Sequence, residues 1–274
     1  MMTPIPTAES GKPAIDVASE LTQAAGGILR SRFRSQLDIK HKGRADVVTN
    51  VDMEVERFIV SRLREEFPSC AILAEESGKG GAIAAEWTWI IDPLDGTRNY
   101  SIGVPHFATT MALARGDEVY LGLTYDPLRD ELFKAVRGEG ASLNSEPMRV
   151  SPVTRLADAV IGTDMGYSDA MGAYALQLLS KLWPGVQTIR VMGSAALGLA
   201  YAASGRLGLY FHHLLSPWDI AAGILMAQES GAIVTDRNGK PTSYHTSTIL
   251  LGNPQLHAEF LQRTNGLPWR TAEV

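Results

Sequence analysis

The chain has 274 residues, of which 45% are hydrophobic and 20% are charged, and its net charge is −5. A chain of this length buries a large core without disulfides, and its one cysteine, Cys70, cannot form an intramolecular bridge. The acidic balance argues against a nucleic-acid-binding surface, and no stretch reaches the roughly 18 apolar residues that would predict a membrane span.

The N-terminal stretch MMTPIPTAESGKP is polar and rich in proline. It lacks the basic start and apolar core of a signal peptide, so we expect a cytoplasmic protein. The neighbours of Cys70 include no cation that would stabilise a thiolate, which favours a packed small residue over a catalytic nucleophile.

The first predicted elements are two helices separated by a hairpin or loop. Apolar residues at helical spacing predict a helix over 14–33. The basic segment 38–52 lacks this spacing and is typical of an exposed loop or hairpin. A second helix is predicted to open at Asp52 and to end at Pro68.

Short strands follow these helices. The segments AILA and WTWIID predict two strands, and the glycine-containing segment 77–86 between them predicts a flexible connection. Segment 107–144 is dense in β-branched and aromatic residues and carries turn signals, which predicts a run of antiparallel strands.

After about Ser151 the pattern changes to alternating strands and helices. This alternation predicts an α/β layered half. We therefore predict a layered α/β sandwich, a single catalytic domain over 1–274 with halves at about 14–150 and 151–274. The predicted strands are 159–165, 188–192 and 207–212, and the predicted helices are 169–182, 194–205 and 217–231.

The hexapeptide DPLDGT follows the apolar strand WTWIID directly. Pro93 suits the second position of a turn, so we predict a turn that aims Asp92 and Asp95 into one space. Gly96 permits close approach of a ligand, and Thr97 is predicted to cap a helix whose free N–H groups attract phosphate. The alternative interpretation is a solvated Asp-Pro turn.

Further acids lie at the ends of apolar segments. Glu75 and Glu76 end the strand AILA, Asp219 opens an apolar helix, and DVVTNVD supplies Asp46 and Asp52. Each has a plain alternative as a solvated acid, a helix-dipole partner or a helix cap. Carboxylates beside an anion site repel the anion unless a cation lies between them, and oxygen ligands favour Mg²⁺.

The motifs DVVTNVD, AEES, WIIDPLDGTRNY and SPWDIAAG resemble those of the inositol monophosphatase family of Mg²⁺-dependent, lithium-sensitive phosphatases. The resemblance extends from the first helix to about Asn253. It implies an α-β-α-β-α sandwich of the inositol monophosphatase/fructose-1,6-bisphosphatase type, and a homodimer.

The resemblance also implies a metal site. Glu75, Asp92 and the backbone carbonyl of Leu94 would hold a first Mg²⁺. Asp92, Asp95 and Asp219 would hold a second ion, and Glu75 would contribute to a weaker third one.

By the same resemblance, Thr97 and Asp52 would orient and deprotonate a metal-activated water. That water would attack phosphorus directly, without a phosphoenzyme. Substrate phosphate would lie against Asp95, Gly96 and Thr97, with the N–H groups of the last two holding its oxygens.

The resemblance places the leaving group beside Gly193, Ser194 and Ala195 in GSAALG. The same small residues also predict a helix that packs closely on a sheet, and the two interpretations are compatible. The loop with Lys40 and Lys42 corresponds to a mobile catalytic loop in the family. Neither lysine aligns with the lysine that assists phosphate there, so their role stays open.

His212 is a departure from the family pattern. Typical inositol phosphatases carry there a glutamate that binds sugar hydroxyls, whereas a neutral imidazole offers at most one acceptor. This weakens the prediction of inositol as the best substrate. A zinc site at His212 and His213 is disfavoured, because adjacent strand residues point to opposite faces.

These observations predict a Mg²⁺-dependent phosphomonoesterase acting on a small polyol phosphate. The leading substrate is myo-inositol 1-phosphate. Fructose 1,6-bisphosphate, histidinol phosphate and adenosine 3′,5′-bisphosphate are alternatives, since related phosphatases with the same metal core use them. An alternative of another class is a binding or regulatory protein that keeps the fold without turnover.

Overall fold

The computed structural model describes residues 4–41, 43, 47–81 and 85–272. Its helices are α1 (Ala14–Arg32), α2 (Asn50–Glu66), α3 (Thr97–Ser101), α4 (Asp169–Leu182), α5 (Ala195–Ala203), α6 (Pro217–Glu229), α7 (Pro254–Arg263) and α8 (Pro268–Thr271). Its strands are β1 (Ile39–His41), β2 (Val47–Thr49), β3 (Ala71–Ala74), β4 (Gly78–Gly81), β5 (Trp87–Asp95), β6 (Ala108–Arg115), β7 (Glu118–Asp126), β8 (Glu131–Val136), β9 (Gly140–Leu143), β10 (Glu146–Pro147), β11 (Val160–Thr163), β12 (Thr188–Val191), β13 (Leu209–His212), β14 (Ile233–Thr235) and β15 (Ile249–Gly252).

The first sheet has the strand order β10-β9-β8-β7-β6-β5-β3-β4. β3 and β5 are parallel, and the other neighbouring pairs are antiparallel. The predicted run of antiparallel strands over 107–144 is therefore confirmed. β1 and β2 pair separately as an antiparallel hairpin, which selects the hairpin alternative for the described part of 38–52.

The second sheet has the strand order β12-β11-β13-β15-β14. The first three strands are parallel, and β15 is antiparallel to both of its neighbours. The helices α4, α5 and α6 alternate with these strands along the chain. This confirms the predicted α/β alternation, whereas the division into halves at about residue 150 stays a prediction.

The layers follow from which faces are apolar. α1 and α2 cover one face of the first sheet, and α5 and α6 fill the space between the two sheets. α4, α7 and α8 cover the outer face of the second sheet. An α-β-α-β-α sandwich results, as predicted. α6 is buried on nearly all sides, as expected of a helix between two sheets.

Close packing of α6 on the first sheet fixes its position. A Cβ atom at Gly122 in β7 would lie 2.8 Å from the carbonyl oxygen of Ala222 in α6. A larger residue at Gly122 would push the helix away from the sheet. The glycine therefore sets how near the start of α6, with Asp219, lies to the end of β5.

Two predicted connections are wrong. The segment 77–86, predicted to be a flexible connection, contributes β4, because the free edge of β3 offers hydrogen-bond partners to its backbone. The predicted turn at Asp92 is instead part of β5, which continues to Asp95 because β6 keeps pairing with it. Within the described ranges, no helix is both long and apolar enough to cross a membrane.

Candidate active site

A bulge in β5 brings two acids to the same side of the sheet. Asp92 lies opposite Thr110 and Asp95 lies opposite Ala108, so three steps along β5 match two along β6. Without the extra residue, positions three apart would point to opposite faces. Asp92 Oδ1 also accepts the Leu94 N–H at 2.9 Å, which stabilises the irregular backbone.

Asp219 completes a cluster of three carboxylates. Its Oδ2 accepts the Ser216 N–H at 2.6 Å in a capping box at the start of α6. Oxygen atoms of Asp92, Asp95 and Asp219 lie within 4.8 Å of one another. Such a group of carboxylate oxygens is the ligand set that hard divalent cations bind.

The electrostatics of the cluster favour a cation. Burial, and then the charges of Glu75, Asp95 and Asp219, hold the pKa of Asp92 well above its ordinary value. Burial raises the pKa of Asp95 to about 6, and its hydrogen bond from Ser194 opposes this rise. These acids are costly to ionise together unless positive charge is supplied, so the residues fit a divalent metal.

Glu75 lies beside this cluster. It follows β3, its N–H donates to the Ile91 carbonyl at 3.2 Å, and its side chain is hydrogen-bonded to Asp92. The next N–H, that of Glu76, donates to buried Glu56 of α2 at 2.8 Å. Glu56 thus positions the turn that presents Glu75, a role that its place inside a regular helical pattern did not reveal.

Thr97 and Asp52 form a pair next to the acids. Thr97 Oγ1 lies 3.1 Å from Asp52 Oδ1 and 2.8 Å from the Leu94 carbonyl oxygen. Burial raises the pKa of Asp52, and its hydrogen bonds from Thr49 and Thr97 oppose the rise. A carboxylate with a raised pKa is a stronger proton acceptor than an ordinary aspartate. The pair brings together the two residues predicted to be catalytic.

The ends of two helices differ slightly from the predictions. α2 opens at Asn50 with Thr49 as its N-cap, so Asp52 is the third residue of the helix rather than its start. Gly96, rather than Thr97, is the N-cap of α3, and its φ of 91° turns the chain out of β5. A Cβ at Gly96 would also lie 3.1 Å from the His106 carbonyl oxygen, so glycine is required there.

The start of α5 is built around Asp95. The Ser194 hydroxyl and the N–H groups of Ala195 and Ala196 all donate to the Asp95 carboxylate. Ser194 is thus buried against Asp95, and its hydroxyl is directed to that acid. The small residues of GSAALG therefore hold a predicted metal ligand in place.

Asp164 and Asn99 were missed by the sequence analysis. Asp164 accepts the Met192 and Gly193 N–H groups at 2.8 and 2.5 Å and the Tyr210 hydroxyl at 2.8 Å. Asn99 Nδ2 donates to the Met192 carbonyl at 2.7 Å. An acid directly after an apolar strand was a signal for Asp164, the same one that drew attention to Asp92.

A cavity of about 370 Å³ opens beside these groups. Two acids of the carboxylate cluster line it, together with residues at the start of α5 and at the end of β13. Among the predicted site residues, its lining includes Asp95, Gly96, Thr97, Gly193, Ala195, His212 and Asp219.

The expectation that His212 and His213 point to opposite faces is wrong. β13 ends at His212, the chain bends, and the two rings stack with centroids 4.9 Å apart at 14°. His212 Nδ1 accepts the Leu214 N–H at 3.1 Å, and His213 Nε2 contacts the Met165 carbonyl at 3.0 Å. Among the described residues, the group of acids and histidines found close enough to hold a metal ion consists of Asp92, Asp95 and Asp219 and includes neither histidine, so a zinc site at this pair stays disfavoured.

Two other described residues named from the sequence, Cys70 and Lys40, are not part of this cluster. Cys70 is buried, and burial raises the pKa of its thiol, as expected of a packed residue. Lys40 lies in the exposed strand β1. Lys42 lies outside the described residues, as does Asp46.

Comparisons with known proteins show the family to which the chain belongs. The model of the inositol monophosphatase family matches residues 11–267. The chain belongs to the inositol monophosphatase family. A family relative from Vibrio cholerae, Nus factor SuhB, is 38% identical over 259 residues, which cover 93% of this chain and 97% of that protein.

Solved structures of inositol monophosphatase family proteins share the fold. An IMPase from Thermotoga maritima has a TM-score of 0.84 and 33% identity, covering 92% of this chain and 96% of that one. An IMPase/NADP phosphatase complexed with Mg²⁺ and phosphate has a TM-score of 0.80 and 27% identity, covering 91% and 94%. The predicted family and fold are therefore confirmed.

Proposed function

We propose that this protein is a phosphomonoester hydrolase that uses Mg²⁺ and acts on small polyol phosphates, with myo-inositol 1-phosphate as the leading substrate. The observation that carries the proposal is the cluster of Asp92, Asp95 and Asp219, of which Asp95 and Asp219 line the cavity. Family membership and the relative that binds Mg²⁺ and phosphate support the same chemistry.

Two or three ions would be held by the acids of this cluster and by Glu75, with the Leu94 carbonyl as a further oxygen ligand. When bound, the metals neutralise charge on the phosphate and activate water for attack. Asp95 has a second task in the proposal, since its carboxylate ties the start of α5 to the metal side of the cavity.

The proposed reaction breaks the bond between phosphorus and the alcohol oxygen of the substrate. A water attacks phosphorus, and Thr97 Oγ1 orients it while Asp52 Oδ1, 3.1 Å from Thr97, takes up its proton. The alcohol oxygen leaves with the bonding electron pair and takes a proton from solvent, which gives the free alcohol and phosphate. Gly96 and Thr97 line the cavity, and their N–H groups would hold phosphate oxygens. Gly193, Ala195 and His212 would contact the alcohol part of the substrate. Ser194 would contribute indirectly, because its hydroxyl donates to Asp95 and holds that carboxylate in place.

A phosphate-release assay tests this proposal. The purified protein is incubated with myo-inositol 1-phosphate, fructose 1,6-bisphosphate, histidinol phosphate and adenosine 3′,5′-bisphosphate, with and without Mg²⁺. Release that requires Mg²⁺ supports the proposal, and the relative kcat/KM values assign the substrate. Absence of release from every ester contradicts it.

The name of the Vibrio cholerae relative, Nus factor SuhB, favours a second candidate of another class. In that case the chain binds another molecule and its fold serves regulation without turnover. The same assay separates the candidates, because only the first requires phosphate release.

Removal of the Thr97 hydroxyl is expected to lower kcat by about 10²-fold, the lower end of what a positioned proton-transfer group contributes. Thr97→Val keeps the size of the side chain but loses the hydrogen bond to Asp52. Thr97→Ser keeps the hydroxyl and is the matched control. Steady-state kinetics on the best ester measures both variants.

Because Thr97 and Asp52 act as one unit in the proposal, the double variant Thr97→Val/Asp52→Asn should be no slower than the slower single variant. A double variant whose loss of rate equals the product of the two single losses would contradict a shared role. A Thr97→Ser rate as low as that of Thr97→Val would show that the hydroxyl is not what matters.

A homodimer in the cytoplasm is also proposed, on family resemblance and on the sequence. We expect light scattering at micromolar protein to give twice the chain mass of 29.6 kDa. A mass equal to that of one chain would refute the dimer.

A further inference from the structure

A backbone N–H two residues further along the chain fixes the tautomer of His212. Its Nδ1 accepts the N–H of Leu214 at 3.1 Å, so Nδ1 carries no proton and the ring proton lies on Nε2. A 180° flip of the ring would place a C–H group against that N–H, which would lose the bond. Burial lowers the pKa of His212 to about 3, which agrees with a neutral ring.

The ring of His212 lines the cavity, and its Nε2 edge lies beside Gly166, another lining residue. A Cβ at Gly166 would lie 3.2 Å from His212 Cε1 and 3.8 Å from Nε2. The glycine therefore leaves this edge of the ring uncovered. Within the described residues, the hydrogen bonds found for His212 involve Nδ1 and leave Nε2 without a protein acceptor.

The neighbouring polar groups on this wall are used inside the protein. The carboxylate of Asp164 accepts from two backbone N–H groups and from Tyr210, so most of its accepting capacity is filled. Asn99 Nδ2 donates to backbone carbonyls. These two neighbours are therefore largely occupied within the protein. His212 offers a donor at the position where the family pattern predicts a carboxylate acceptor.

We infer that His212 is a specificity-determining donor whose Nε2–H binds a hydrogen-free acceptor on the alcohol part of the substrate. The acceptor class is a carboxylate, a carbonyl or a second phosphoryl oxygen. A substrate hydroxyl can also accept this N–H, but its own hydrogen then needs an acceptor that His212 does not supply. The inference rests on the proposed phosphatase function for its substrate, while the proton position is a property of the protein alone.

The proton position is tested without turnover. Two-bond ¹H–¹⁵N correlation spectra of the full chain, with and without Mg²⁺, distinguish protonated from bare ring nitrogens, and His212→Gln assigns the signals. We expect a bare Nδ1 and a protonated Nε2 for His212 at neutral pH. A protonated Nδ1, in a neutral or a charged ring, would overturn the inference.

The acceptor is tested with a matched pair of esters. Glycerol 2-phosphate and 2-phosphoglycerate differ by a hydroxymethyl group in place of a carboxylate, and the methyl ester of 2-phosphoglycerate keeps an acceptor without the charge. We expect His212→Glu to lower the kcat/KM ratio of each acceptor ester to glycerol 2-phosphate by about 10-fold, because an acceptor then faces an acceptor. His212→Gln, whose amide N–H reaches a similar place, should stay within about threefold of wild type.

A ratio that stays the same in His212→Glu would refute the inference while leaving the phosphatase proposal intact. A change for the charged ester alone would also refute it, since simple charge repulsion would then suffice. If the wild-type protein hydrolyses none of these three esters, the proposed function still stands or fails by the phosphate-release assay on the four esters named above. The ratio of their Kd values in calorimetric titrations, measured on the same variants, then decides the inference.

Discussion

Asp92→Asn is expected to lower kcat by about 10³-fold or more while the protein stays folded. Metal charge near a reacting phosphate is worth several kcal/mol, and Asp92 interacts with Glu75 and with the two other acids of the cluster. An amide keeps the shape and the oxygen that accepts the Leu94 N–H, but it loses the negative charge. Single-turnover phosphate release at saturating Mg²⁺ measures the effect.

The same variant should not lose stability when metal is absent. The folded-state pKa of Asp92 lies above its unfolded value, so ionisation opposes folding. Its contribution is most favourable below the ordinary aspartate pKa and is lost as the pH rises through the raised pKa. Asn removes that loss. We therefore expect the metal-free variant to melt at or above the wild-type Tm at neutral pH.

The control is Asp117→Asn, a change of the same kind at an exposed acid in the turn between β6 and β7. It should leave both kcat and the metal-free Tm unchanged. Near wild-type turnover of Asp92→Asn would rule out its bridging role. A large drop of its metal-free Tm would show that the carboxylate stabilises the fold in a way that its surroundings do not predict.

Removal of divalent metal is expected to abolish turnover, by at least about 10³-fold, and to lower the Tm. Mg²⁺ binds the folded cluster, so at about 100 times its Kd it should stabilise the fold by about 3 kcal/mol. For a chain of this size that corresponds to about 5 °C or more. Melting curves and phosphate release, each in excess chelator and then in restored Mg²⁺, measure the two effects.

Two comparisons make this test specific. In Asp92→Asn the rise of Tm with Mg²⁺ should shrink or vanish, whereas Asp117→Asn should retain it. Lithium at millimolar concentration is expected to inhibit the Mg²⁺-supported rate, on family resemblance. Full turnover in excess chelator would overturn the metal assignment, and a Tm that does not respond to Mg²⁺ would argue that the acids bind no ion tightly.

Regular elements were predictable because their signals are local. The helix predicted over 169–182 is α4 with the same bounds, since its apolar spacing and the capping Ser168 lie within the segment itself. The strand over 87–92 was predicted, but its continuation to Asp95 was not. Pro93 and Gly96 are turn residues by local rules, and pairing with β6, which comes later in the chain, overrides them.

The missed site residues have distant partners. Asp164 is recognisable as an acid after a strand, yet its task depends on backbone N–H groups of Met192 and Gly193 and on Tyr210. The pairing of Glu56 with the turn at Glu76 likewise joins a helix to a later strand end. Local periodicity carries no information on such contacts.

The sequence by itself determined the family and the chemical types of the site: hard-oxygen acids, a hydroxyl beside a carboxylate, and a histidine in place of a glutamate. The sequence also predicted that Asp92, Asp95 and Asp219 lie together. Only the tertiary structure decided how they do so, through a bulge in β5 and the close packing of α6. It also decided which nitrogen of His212 accepts a backbone N–H. Side-chain type is written in the chain, whereas direction and proximity arise from backbone pairing and packing between segments that lie far apart in sequence.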